Sequence, residues 1–183
     1  ATTDGGWVLG GHTSVGQAAL AVRVSATGSV QWVSTATSKF DFRMGELLAV
    51  GDGTFLAVGW QYNSDPDARV VRWAADGKVL YQSAFDLGGD QQPVAARLDN
   101  GHVLVAGQVY GPQNQPAAQL AAYSLQGQPL WTSALMFNGD LWPVALALRS
   151  DGQRMVVGTR RAYAGKAYDA QVFARTFSAD GAW

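Results

Sequence analysis

The chain has 183 residues, 48% hydrophobic and 15% charged, with 13 Lys and Arg against 14 Asp and Glu, a formal net charge of -1, and no cysteine. A chain of this size can bury a real core, and its near-neutral charge offers no broad field for a nucleic-acid backbone or an anionic lipid surface. The missing cysteines exclude disulfides, thiolate metal sites and cysteine nucleophiles, and no apolar run reaches the roughly 18 residues of a membrane-spanning helix.

The first element along the chain is a turn, a short strand and a glycine, Asp4-Gly-Gly-Trp-Val-Leu-Gly-Gly11. It recurs as Asp52-Gly-Thr-Phe-Leu-Ala-Val-Gly59, Asn100-Gly-His-Val-Leu-Val-Ala-Gly107 and Asp151-Gly-Gln-Arg-Met-Val-Val-Gly158, with starts 48, 48 and 51 residues apart. After each copy a variable polar loop leads to an apolar strand: Ala18 to Val24, Ala68 to Trp73, Gln119 to Tyr123 and Gln171 to Phe177. A tight turn carrying Gly28, Gly77, Gly127 or Gly181 follows, and soon after it an aromatic, Trp32, Tyr81, Trp131 or Trp183. Return strands then run over Glu46 to Val50, Pro93 to Leu98 and Pro143 to Leu148 into the next Asp/Asn-Gly. Asp-Gly and Asn-Gly between short apolar runs are hairpin signals, and no helical period occurs.

A four-stranded antiparallel unit repeated at this length is a β-propeller blade. With strands a to d numbered from the ring centre outward, the chain carries b, c and d of one blade, two whole blades, then a, b and c of a last. The reading is therefore all-β, one propeller domain over 1–183 with about four blades, at roughly 1–45, 46–92, 93–142 and 143–183. Four full repeats need about 200 residues on this period. Unpaired strand edges are normally avoided, so the expectation is part of a larger ring or one completed by another chain.

The stretches Val144-Ala-Leu-Ala-Leu-Arg-Ser-Asp-Gly-Gln-Arg-Met-Val-Val-Gly158 and Phe173-Ala-Arg-Thr-Phe-Ser-Ala-Asp-Gly181 resemble bacterial delta-sixty propeller repeats and the related seven-bladed repeat proteins. The resemblance spans the chain at about one blade per copy. It implies a propeller in a bacterial exported or surface protein, hence an extracellular, cell-surface or periplasmic location, and brings no family catalytic residues. The copies differ among themselves: an arginine ends strand c as Arg23 and Arg72, Ala122 takes the equivalent place, and Arg175 is shifted by one, so this arginine has no role throughout the repeat.

Strand alternation puts the a–b and c–d turns on one rim and the b–c and d–a loops on the other. The second rim is long and variable, and binding residues concentrate on such loops. Its candidates are Trp60, Tyr62, Tyr110, Trp142, Arg160, Arg161, Tyr163 and Tyr168, a set suited to protein or glycan surfaces. The competing expectation for any one ring is burial between blades. Asn63-Ser-Asp-Pro-Asp67 places oxygen ligands at Asp65 and Asp67 as calcium loops do, but lacks the loop glycine and distal glutamate, and such residues favour turns unaided. Gly11-His-Thr-Ser-Val-Gly16 has its serine one place late for a nucleophile elbow. His12 and His102 fall on opposite rims, so no shared metal site is expected. No cofactor is implied. The aromatics Trp32, Tyr81, Trp131 and Trp183 read as blade-packing residues. Function thus reads as a non-enzymatic binding or scaffold module. The alternative is a fragment of a propeller hydrolase, lyase or quinoprotein with its active site at the central channel.

Overall fold

A computed structural model of the chain describes every residue outside 1, 14–17, 63–65, 86–89, 111–115, 136–139 and 165–166; side chains at 66, 85, 90, 116, 162–164 and 167–169 are also left aside. It is all-β, with fourteen strands among the described residues: β1 Trp7–His12, β2 Ala18–Val24, β3 Val30–Thr37, β4 Asp41–Ala49, β5 Phe55–Tyr62, β6 Pro66–Trp73, β7 Val79–Phe85, β8 Asp90–Asp99, β9 His102–Tyr110, β10 Pro116–Ser124, β11 Pro129–Leu135, β12 Asp140–Leu148, β13 Arg154–Ala164 and β14 Ala167–Phe177. They form four antiparallel sheets in chain order, β1-β2-β3, β4-β5-β6-β7, β8-β9-β10-β11 and β12-β13-β14. These are propeller-type blades, two of four strands and two of three, in the arrangement that the repeat predicts.

The chain divides into two compact units, Ala1–Phe85 and Asp86–Trp183, each of two blades. In the first, Ala19, Ala21 and Ala36 of one blade meet Phe42, Ala57, Val71 and Trp73 of the next, with Trp32, Met44 and Leu47 at the margin. Small residues on one sheet let the large ones opposite fill the gap between them, the ordinary solution for two packed sheets. In the second unit Leu104, Leu120, Ala106 and Ala122 pack with Leu146, Val156 and Phe177, flanked by Trp131, Phe173 and Trp183.

The return strands are longer than the sequence predicts, starting at Asp41, Asp90 and Asp140 where Glu46, Pro93 and Pro143 are expected. The reason is a β-bulge in each, between Met44 and Glu46, Pro93 and Ala95, and Pro143 and Ala145. An extra residue reverses the inward–outward alternation, so the apolar pattern beyond the bulge does not extend upstream. The bulge also explains the closing glycines. A Cβ at Gly59 would collide with the Arg43 carbonyl oxygen, one at Gly158 with that of Trp142, and one at Gly107 would lie 2.7 Å from that of Gln92. Gly11 departs from this expectation: nothing lies within 4 Å of its would-be Cβ, because β1 is an edge strand with no bulged partner beside it.

The c–d turns fasten blade to blade. Gly77 (φ +87°) would bring a Cβ within 2.8 Å of the Trp32 ring, and Trp32 Nε1 donates to the Ala75 carbonyl at 2.9 Å. In the second unit Trp131 stands against Gly181 at 2.5 Å from its would-be Cβ. Only glycine meets both the left-handed backbone and the space that these rings leave. Trp183 instead packs on Phe177 of its own blade, ring centroids 5.9 Å apart.

Candidate functional site

The two rims of the first unit differ in chemistry. At the turn rim, arginines near the end of strand c reach back to the a–b turn. Arg23 pairs with Asp4 at 2.6 Å, and Arg72 pairs with Asp52 while its Nε donates to Thr54 Oγ1 at 2.9 Å. In the third blade both partners are replaced together, Asn100 and Ala122 standing where aspartate and arginine stand before. The arginine thus has a structural role in two blades, not throughout the repeat. Asp4 is held down at about 2, first by the Thr2 hydroxyl, then by Arg23 and the Gly6 amide. Thr54 holds Asp52 below the usual carboxylate range through its hydroxyl and its amide. Both are ionised at neutral pH. A cleft of about 350 Å³ lies beside them, lined by Asp4, Arg23, Val50, Phe55 and Ala75 among others, and Arg23, the one cation among the described lining residues, already faces Asp4.

At the loop rim a cleft of about 280 Å³ opens between the end of β3, the 38–40 connection and the β5–β6–β7 sheet. Thr37, Ser38, Gln61, Gln82 and Ser83 supply hydroxyls and amides, Phe40 and Ala84 apolar surface, and Lys39 and Arg69 positive charge; no carboxylate among the described residues lines it. Ser38 Oγ donates to Gln61 Oε1 at 3.2 Å and accepts the Phe40 amide at 3.2 Å, which fixes the connection above the cleft.

Arg69 is its centre. It is only 3% exposed. Its Nη2 donates to the Thr37 carbonyl at 3.2 Å and to Gln82 Oε1, and the guanidinium stands over the Phe42 ring at 5.2 Å. All three partners are uncharged, and Nη1 has no hydrogen-bond partner among the described residues. Burial lowers its pKa from the ordinary arginine value. Nothing in the sequence alone sets Arg69 apart from Arg72 within the predicted strand Ala68 to Trp73.

The rim candidates lie on strand ends. Trp60 and Tyr62 end β5, on the sheet face opposite Gln61, with Tyr62 55% exposed. Tyr110 ends β9 and is half-buried. Trp142 on β12 is exposed and carries Arg161 over its ring at 5.8 Å, while Arg160 donates to Gln171 Oε1 at 2.7 Å. Tyr163 and Tyr168 pair across β13 and β14 by backbone register, but their side chains lie outside those described. Asp65 is outside the described residues, and Asp67 stands on β6 opposite Gln61. Among the described residues no three His, Asp or Glu side chains gather closely enough to hold a metal ion. His12, at the b–c end of β1, lies 3.1 Å from Arg43.

No protein-family model matches the chain, and no curated protein matches it. Solved structures do match in fold. An exo-β-1,3-galactanase from Clostridium thermocellum aligns at a TM-score of 0.61 and 16% identity over 97% of this chain and 45% of its own. An α-L-arabinofuranosidase from Lactobacillus brevis aligns at 0.55 and 12% over 100% and 72%. A protein of unknown function from Bacteroides caccae aligns at 0.54 and 14% over 90% and 57%. The chain thus spans about half the length of the galactanase and of the Bacteroides caccae protein. At these identities the likeness concerns the fold.

Proposed function

We propose that this chain is a glycan-binding propeller module of a bacterial exported or surface protein, without catalytic chemistry of its own. The observation that carries the reading is the loop-rim cleft, where hydroxyl and amide groups of Thr37, Ser38, Gln61, Gln82 and Ser83 stand beside the Phe40 ring. Sugars present an apolar ring face edged with hydroxyls, which this mixture suits. The fold neighbours named for acting on glycans support the ligand class, and the resemblance to bacterial surface repeats supports the exported or surface setting. Against catalysis by this stretch, no carboxylate among the described residues lines the cleft, and the described carboxylates with displaced pKa values, Asp4, Asp52 and Asp180, are shifted down. A glycosidase acid needs the opposite shift.

The test is affinity electrophoresis against a panel of plant and bacterial polysaccharides. At least one should retard the protein, and Phe40→Ala should weaken that retardation about tenfold, the loss of one ring contact. Failure to bind any polysaccharide would overturn the reading. A second reading, part of a propeller glycosidase, is favoured by the names of the neighbours. Release of reducing sugar by the chain from a polysaccharide of the panel would establish it instead.

A further inference from the structure

A repeat protein makes its own control, because each register position occurs once per blade. The residue opposite the closing glycine on strand c is Leu20 opposite Gly11, Arg69 opposite Gly59, Gln119 opposite Gly107 and Phe173 opposite Gly158. Three blades fill this position without charge, so the architecture does not require an arginine there. The d-strand position facing the next inward residue behaves alike: Gln82 faces Val71 where Val33 faces Val22 and Thr132 faces Ala121. Arg69 and Gln82 therefore enter together, in one blade, and touch each other.

A buried cation is costly unless matched by an anion. Arg69 has none among the described residues: a backbone carbonyl, an amide oxygen and a ring hold it. Asp67, two residues before it on the same side of β6, is not among the described residues that line the cleft. Lys39 adds a second positive charge at the mouth. Gln82 is exposed, so its amide oxygen can leave the guanidinium when a better acceptor arrives. The planar fork of arginine matches a carboxylate with two parallel hydrogen bonds, and both charges then strengthen them.

We propose that the loop-rim cleft recognises a uronic acid residue of an acidic polysaccharide, its carboxylate bound by Arg69 in exchange for Gln82 and its hydroxyls met by Ser38, Gln61 and Ser83. This rests on the glycan-binding reading and narrows it to anionic sugars. The cleft, about 280 Å³, lies at the small end of ligand sites and holds a sugar-sized group, not a folded partner.

The experiment follows the Arg69 Nε–Hε signal of the ¹⁵N-labelled whole chain, assigned by its loss in Arg69→Lys, during titration with galacturonate, galactose, acetate and sulfate. Galacturonate should move the signal saturably and galactose should not. Lys39→Ala should weaken galacturonate binding about threefold, and Arg69→Lys, which keeps the charge but loses the fork, about tenfold by the remaining rim signals. Gln82→Ala should bind as tightly or more tightly, since it removes the competing oxygen. If acetate or sulfate moves the signal as readily as galacturonate, the site holds a bare anion and the uronate assignment falls. If neutral sugars move rim signals while Arg69 stays still under galacturonate, this inference alone fails. If no sugar moves any signal, the glycan-binding reading fails with it.

Discussion

Arg69 and Arg72 sit three residues apart on β6, on opposite faces of one sheet and about 10 Å apart along it, yet they do different work. Arg72 points to the turn rim, where Asp52 and Thr54 meet its charge and its Nε. Arg69 lies at the loop rim, more deeply buried, with neutral partners and an open cleft beside it. The difference separates structure from function. A charge matched inside the fold holds the blade together, whereas a charge left unmatched costs stability unless something from outside meets it. In the first unit the turn rim is built for cohesion and the loop rim for contact.

The largest effect expected from that division is on packing. Trp32→Ala removes the ring that covers Gly77 and the bond to the Ala75 carbonyl, and should cost about 3 kcal/mol in urea denaturation, as truncation of a packed tryptophan does. Lys39→Ala at the other rim should leave the midpoint unmoved. Comparable losses at both rims would refute the division.

A sharper comparison changes the two arginines to the same residue. Arg72→Met leaves Asp52 without its cation and Thr54 without a donor, and should cost about 1 kcal/mol, discounted because Asp52 is half-exposed. Arg69→Met exchanges an unmatched buried charge for apolar volume and should be neutral or stabilising by up to about 1 kcal/mol. Reversal of that order in paired denaturation curves would mean that Arg69 is a structural residue.

The smallest effect is in acid. Asp4 and Asp52 both have carboxyls held below their unfolded values. Their contribution to stability is therefore present above about pH 4, the unfolded range, and is lost as pH falls toward the folded value near 2 at Asp4. Melting temperature should drop over that window, and the Asp4→Asn, Asp52→Asn double variant should drop less. An equal fall in both proteins would assign the acid sensitivity elsewhere.

The spacing of Asp4, Asp52, Asn100 and Asp151 by itself determined the blades, the strand order and which turns share an end of each blade, because hairpin turns and alternation are local properties that a linear reading captures. The sequence also brought Trp32 and Trp131 to notice as packing residues. It misplaced the starts of the return strands, since a bulge at Gly45, Val94 or Val144 is a choice made between two strands and leaves no mark on one. Arg69 was missed for a related reason. In the run from Ala68 to Trp73 it reads as one of two strand arginines, and only alignment with Leu20, Gln119 and Phe173 at the same register would have marked it. Its partners Thr37, Phe42 and Gln82 lie 13 to 32 residues away in the chain. Whether a charge is matched or left open is decided by what the packed sheets bring beside it. That depends on distances across blades, which tertiary structure alone sets.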